Sequence, residues 1–388
     1  LNSSLIQINY CHFKKLIDWK GYSTWPTVGN GFLKIQGFDS YNNLLSINEI
    51  FSKSPRPMPI DRTLNVNVPF KYKVRRPWKT PGPEISLEQA LLQRVHSIIT
   101  QWPQERINIF WSGGIDSTSV VNAFLINAPD LSQLRILYSP YSYYEHPEYM
   151  AFLKKFPLVE LVDLSGMVYL DTQFDGVFVT GDSGDEMHAS LDDSFFKAHG
   201  YNSLFTPWQD FFQKQNPDPA FLNFCEQYFS RSGLPIHTVL EARWWFYANT
   251  KLNCVLFNKL PFWLDYPNFN FDRVLGFFDC EEYENHIAYN ISSVIANENY
   301  NTWKQPLKDY CYNFDGCEQW RTTKSKVHSG QLTTYIDKKT ALKQLQWIAI
   351  LEDGTRIHTP NLPWLSKIEF DRKYGKTLDY LWNLPDAE

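Results

Sequence analysis

Two stretches of the chain set carboxylates beside glycines at the ends of apolar runs. Ile107-Asn108-Ile109-Phe110-Trp111 breaks into Ser112-Gly113-Gly114-Ile115-Asp116-Ser117-Thr118. Gly176-Val177-Phe178-Val179 breaks into Thr180-Gly181-Asp182-Ser183-Gly184-Asp185-Glu186. Adjacent glycines let backbone approach a ligand closely, and the hydroxyls and free N–H groups of a helix start suit a phosphate. A carboxylate beside a phosphate repels it unless a cation stands between them, and Mg²⁺ is the natural choice. No Gly-Lys-Ser/Thr ends either turn and no G-x-G-x-x-G is present, so neither a Walker loop nor a dinucleotide fingerprint is read here.

The flanking residues say what must hold these turns. Apolar run, glycine turn and the apolar stretch Ser119–Leu125 read as strand, turn and helix start. Before them, Ser86-Leu87-Glu88-Gln89 opens a helix with Ser86 as cap and Gln89 at the capping-box position. Leu87, Leu91, Val95, Ile98 and Ile99 keep helical spacing. Further strands are expected at Leu134–Ser139, Leu158–Val162 and Gly176–Val179, with a helix from Glu148 to Phe156. Strands alternating with helices predict an α/β fold with a doubly wound parallel sheet. Ligands then sit at the carboxyl ends of the strands, where both turns fall. Asp116 and Asp185 are expected to face each other across that crevice and share one Mg²⁺. The picture fails if the two are far apart or if side chains fill the space between them.

Ser112-Gly113-Gly114-Ile115-Asp116-Ser117 resembles the SGGxDS pyrophosphate loop of the PP-loop ATP pyrophosphatases, which split ATP into AMP and pyrophosphate. Residues 180–186 resemble the S-G-E-G-x-D-E motif of the synthetase domain of asparagine synthetases and of their β-lactam-forming relatives. Thr180, Asp182 and Ser183 replace the motif's Ser, Glu and second Gly. GMP and NAD synthetases lack this second motif, and the catalytic cysteines of thiolating tRNA enzymes have no counterpart here. The resemblance implies ATP and Mg²⁺ as cofactors. It assigns Ser112, Gly113, Gly114, Asp116, Ser117, Thr118 and Gly181 to the nucleotide phosphates. Leu137 and Tyr138, at the end of the second strand, take the adenine, and Asp116 and Asp185 take the metal. Asp182 stands where the family's Glu handles the attacking amine. It is one methylene shorter, about 1 Å of reach, and a misplacement of that size can cost ~100-fold.

The resemblance is weaker further on. Leu260-Pro261-Phe262-Trp263-Leu264-Asp265 resembles the family's R-x-P-F-L-D segment without its Arg and with Trp263 inserted. Trp303-Lys304-Gln305-Pro306-Leu307-Lys308 resembles its K-x-x-L-R helix start. Residues 321–330 resemble its R-P-K-x-G-x loop, whose Lys stabilises charge on phosphate and on the tetrahedral intermediate; Lys324 is the match and Lys326 the close competitor. Trp244-Trp245-Phe246-Tyr247, in a helix-rich stretch from 203 to 260, reads as core.

At 388 residues, 43% hydrophobic and 20% charged, the chain can bury a large core. Its net charge of −5 argues against a nucleic-acid-coating surface. The basic run Lys71-Tyr72-Lys73-Val74-Arg75-Arg76 leaves RNA contact as an alternative to a solvated edge strand. No apolar run approaches the ~18 residues needed to cross a bilayer, and no leader pattern opens the sequence, so a cytoplasmic location is expected. The six cysteines form no C-x-x-C pair and read as reduced thiols rather than a zinc site, with a Cys311–Cys317 disulfide as the alternative.

Three segments are expected. Residues 1–84 form a small, mostly β N-terminal domain, with strands such as Phe32–Ile35 and Asn65–Val68. Residues 85–340 form the nucleotide domain, entered through the turn-rich linker 77–83. Residues 341–388 form an extension with a β-hairpin turning at Asp353-Gly354. The function implied is an ATP-dependent ligase that adenylates a substrate carboxylate, releases pyrophosphate and passes the acyl group to an amine. Cys11 lies in no context comparable to the catalytic cysteine of a glutaminase domain, so the amine is expected to be free, to belong to a substrate, or to come from an ammonia-supplying partner. Two rivals stand beside this reading. One adenylates a nucleobase or tRNA; the other is a non-catalytic nucleotide-binding protein.

Overall fold

The computed structural model describes residues 39–51, 61–66, 74, 76–138, 142, 145–164, 174–191, 193–252, 271–295 and 302–323, together with strands 346–350 and 356–360. The protein is α/β. Five parallel strands, β1 (Ile107–Trp111), β2 (Leu134–Tyr138), β3 (Glu160–Asp163), β4 (Val177–Thr180) and β5 (Val274–Gly276), form a sheet in the order β3-β2-β1-β4-β5. This order is compatible with a doubly wound fold. Chain order runs outward from β1 through β2 to β3, then returns to the other side of β1 for β4 and β5. The reversal lies between β1 and β4, and crevices that bind ligands open at such a point. Burial is deepest at the centre of the sheet: β4 is buried throughout and β1 nearly so, whereas β3, Glu160-Leu161-Val162-Asp163, is an edge strand with exposed ends.

The principal helices follow from their caps and spacing. α1 is Asp39–Phe51, α2 Leu87–Gln101, α3 Ile115–Asn127 and α4 Pro147–Leu153. After β4 come α5 (Gly184–Met187), α6 (Val239–Thr250), α7 (Glu281–Asn290) and α8 (Gln305–Asp315). The capping box of α2 is formed: Gln89 N donates to Ser86 Oγ at 3.2 Å and Ser86 N to Gln89 Oε1 at 3.0 Å. Leu87, Leu91, Val95 and Ile98 are buried, as their spacing predicted. α6 is capped the same way by Thr238 and Glu241, and Trp244–Tyr247 are core residues.

The described part of residues 1–84 departs from the β-rich expectation. It holds α1 and, among the described residues, no strand. Tyr41, Leu44, Ile47 and Phe51 repeat at helical spacing and join the same hydrophobic cluster as the sheet; the turn-rich residues around them obscured this period. Asn65 and Val66 are not in a strand. Their N–H groups, with that of Thr63, donate to the Asp61 carboxylate, an Asx-type knot that competes with sheet pairing. The segment 77–83 is docked rather than loose. Trp78 packs its edge on Trp244 and Trp245, and Gly82 N donates to Asn285 Oδ1. Strands β6 (Gln346–Ile350) and β7 (Arg356–Pro360) pair antiparallel as the hairpin reading required; Asp353-Gly354 lies outside the described residues. Phe32–Ile35 and 260–265 also lie outside them.

Candidate functional site

Both acidic turns stand at the carboxyl end of the sheet, one on each side of the reversal between β1 and β4. The first is braced from within. Ser117 Oγ accepts from Ser112 N at 3.0 Å, lies 3.0 Å from Ser112 Oγ, and donates to Gly114 O at 3.0 Å. Trp111 Nε1 donates to Thr118 Oγ1 at 3.0 Å, so buried Thr118 acts as a strut for the loop. Gly113 has φ +79°, and a Cβ there would stand 2.6 Å from Ser142 O; only glycine meets both conditions.

The second turn is fitted directly against the first. A Cβ on Gly181 would meet Ser117 N at 2.9 Å, and one on Gly184 would meet Asp116 Cγ at 2.4 Å. The glycines of one turn are therefore the space into which the aspartate of the other fits. Asp182 is half-buried, and its N–H donates to Thr180 Oγ1 at 3.2 Å.

Asp116 and Asp185 converge, as the sequence required, and the cation they share is Lys304. Its ammonium donates to Asp116 Oδ1 at 2.7 Å, to Asp116 Oδ2 at 2.5 Å and to Asp185 Oδ1 at 2.5 Å. The space expected for Mg²⁺ is filled by a side chain, the outcome on which the shared-metal picture was to fail; in this structure Lys304, not a metal, joins the two carboxylates. Lys304 is 2% exposed, against 20% for Asp116 and 39% for Asp185. Burial alone would push its pKa down, but the two carboxylates outweigh that and hold it above the ordinary lysine value. The backbone at Lys304 is left-handed, φ 62° and ψ 31°, an uncommon state for a residue with a Cβ. Lys304 N donates to Val294 O at 2.6 Å, and Gln305 and Pro306 open α8 immediately after.

A buried relay stands behind the second turn. His188 Nδ1 lies 2.6 Å from Gly184 O, so it must carry the proton; Nε2 then accepts from Tyr283 Oη at 2.9 Å. Burial and the neighbouring Lys304 lower the His188 pKa to about 3, so the ring is neutral. Trp303 Nε1 donates to His188 O at 2.9 Å, tying the residue before Lys304 to the second turn. Arg243 of α6 donates to Ala189 O and Ser190 O, fixing two residues with positive φ just beyond it.

Leu137 and Tyr138 end β2 beside Phe110 and Trp111, on the same sheet edge as the first turn. Lys324 and Lys326 lie outside the described residues, so their relation to the crevice is not drawn. In the basic run, Arg76 is committed to Glu284 and Asp279 within the protein rather than presented to a polyanion. Cys311 and Cys317 are free thiols, so the disulfide alternative is set aside. Sequence reasoning missed Lys304, His188 and Tyr283 as site residues. The K-x-x-L-R resemblance at 304–308 was the available signal for Lys304; nothing in the spacing of the other two pointed to the crevice.

No protein-family model, characterised protein or solved structure matches the chain. Among the described residues, no helix is long and apolar enough to cross a membrane.

Proposed function

We propose that the protein is an ATP-dependent carbon–nitrogen ligase of the asparagine synthetase type, on a PP-loop version of the doubly wound fold. One observation carries the reading: two glycine turns, packed on each other at the strand-order reversal, deliver Asp116 and Asp185 to a single cation. A donor set of two carboxylate oxygens suits Mg²⁺ as well as an ammonium, so the residues fit the metal that the motif implies. Mg²⁺ held by Asp116 and Asp185 would offset negative charge on the departing pyrophosphate.

The chain's own residues supply the rest. Ser112 N and Thr118 N are spent within the turn, so the backbone N–H groups between them, at the start of α3, and that of Gly181 would take the phosphates of ATP. The adenine lies along the end of β2 at Leu137 and Tyr138. A substrate carboxylate oxygen attacks the α-phosphorus, and the bond to pyrophosphate breaks. An amine then attacks the acyl carbon of the adenylate, AMP leaves, and Asp182 takes the amine proton. Lys304 neutralises the two carboxylates; for Mg²⁺ to be held by them its ammonium would have to give up that place and turn to the phosphates. Lys324 or Lys326 stabilises the oxyanion, as the sequence resemblance implies.

The test is a screen of carboxylates and amines for AMP and pyrophosphate release. Release that depends on a carboxylate and an amine, and is lost in Asp116→Ala, is expected. Release that depends on RNA would support the nucleobase-modifying rival. Nucleotide binding without turnover across a broad screen would point to a binding protein.

A further inference from the structure

On the flank of the first turn, three ligand-type side chains from distant parts of the sequence meet. His146 caps α4, Glu148 lies in its first turn, and Cys317 sits just beyond the end of α8. One ligand atom from each lies within 4.8 Å of the other two, and His146 Nδ1 is 3.7 Å from Glu148 Oε2. We propose that His146, Glu148 and Cys317 form a binding site for a zinc-class divalent cation, separate from the Asp116–Asp185 pair and independent of the ligase reading.

The donor chemistry selects the metal. Nitrogen, sulfur and oxygen together suit a borderline-soft ion such as Zn²⁺ and not Mg²⁺, which takes oxygen alone. Tetrahedral zinc with bonds of ~2.0–2.3 Å sets its ligand atoms roughly 3.3–3.8 Å apart. The His146–Glu148 spacing of 3.7 Å already meets this, and Cys317, within 4.8 Å of both, needs to close by at most about 1 Å, within the range of a side-chain rotation. The imidazole is fully buried and stacked on Tyr149, with ring centroids 5.2 Å apart, so its orientation is fixed in advance. Glu148 is 60% exposed and gives the ion a route in from solvent. Among the described residues no fourth ligand joins the three, which leaves one coordination position for water, as in three-ligand zinc sites.

The site also has a place in the architecture. His146 N donates to Ser142 O, the atom that a side chain at Gly113 would strike, and Ser142 Oγ donates to Trp111 O at 2.6 Å. A metal bound here fastens the end of α8 to the segment packed on the first turn. No sequence motif announces it, because residues 146 and 317 are brought together only by the fold.

Cobalt(II) titration of the full chain tests the proposal, because a thiolate ligand gives an intense charge-transfer band in the near ultraviolet. The expected result is one such band saturating at one equivalent and discharged by Zn²⁺. Cys317→Ser should abolish the band. Glu148→Gln, at an exposed position that does not threaten folding, should weaken cobalt binding at least about tenfold. Asp116→Asn should leave the band intact. Absence of the band in the unaltered protein, its survival in C317S, an unchanged midpoint in E148Q, or its loss in D116N overturns the site.

Discussion

Lys304 donates to both carboxylate oxygens of Asp116 while reaching Asp185 with the same ammonium. That charge offsets the repulsion between the carboxylates of two closely packed acidic turns. Lys304→Met keeps most of the length of the side chain, one atom short, and removes the charge. The variant should lose thermal stability in metal-free buffer. It should also bind Mg²⁺ at least about tenfold more tightly than the unaltered protein, because no ammonium has to be displaced. Melting curves across a Mg²⁺ titration check this, and equal Mg²⁺ dependence in the two proteins would exclude a shared metal position.

The parts of this arrangement that the sequence revealed are those written in local pattern. Buried runs ending in glycine and aspartate marked β1 and β4 as strands whose acidic turns face each other at one edge of the sheet. Ser86 and Gln89 marked the start of α2, and the Asp-Gly pair marked the hairpin of β6 and β7. Lys304 was hidden because its partners are 119 and 188 residues away. An ordinary lysine two residues before a proline carries no sign of a left-handed backbone or of burial. α1 went unread for another reason. Turn-forming residues around it suggested short strands, whereas tertiary packing of Tyr41, Leu44, Ile47 and Phe51 decided the outcome.

The contact between Gly184 and Asp116 gives a sharper test of the two-turn geometry. A methyl group at 184 would lie 2.4 Å from Asp116 Cγ and Oδ1. Since Gly184 is within α5, alanine suits its backbone and the clash falls on the aspartate. Gly184→Ala should therefore fold, displace the carboxylate by about 1 Å, and reduce pyrophosphate release by ~100-fold. Full activity in G184A would mean that the position of Asp116 does not matter to the chemistry.

His188 predicts how stability depends on pH. Its pKa is lowered to about 3 in the folded protein from 6.5, first by burial and then by Lys304. Between these values the unfolded chain binds a proton that the folded chain does not. Stability therefore rises with pH across this window and is lost as pH falls from about 6.5 towards about 3. His286, also lowered by burial, acts in the same direction. The slope from one such group is at most about 1.4 kcal/mol per pH unit. Denaturant midpoints between pH 4 and 7 should show a shallower slope in His188→Gln than in the unaltered protein. Identical slopes would mean that the ring is not buried neutral behind the second turn.

Arg243 anchors the segment beyond the second turn, and its removal should be felt across the whole core. The guanidinium is fully buried. It donates to Ala189 O at 2.9 Å, to Ser190 O at 2.7 Å and to Phe51 O, the last residue of α1. Phe195 and Tyr247 cover it, at 4.7 and 5.0 Å from their ring centroids. Arg243→Met keeps much of the volume but leaves three carbonyls without their donor, so a loss of roughly 3 kcal/mol or more is expected. Arg243→Lys keeps the charge but cannot reach three acceptors in one plane, so it should recover less than half of that loss. Hydrogen exchange gives the sharper readout. In R243M the amides of α1 should exchange faster, and the backbone around Ala189 and Ser190 should lose protection with them. If α1 keeps its protection while 189–190 loses it, the arginine braces the second turn alone and does not join α1 to it.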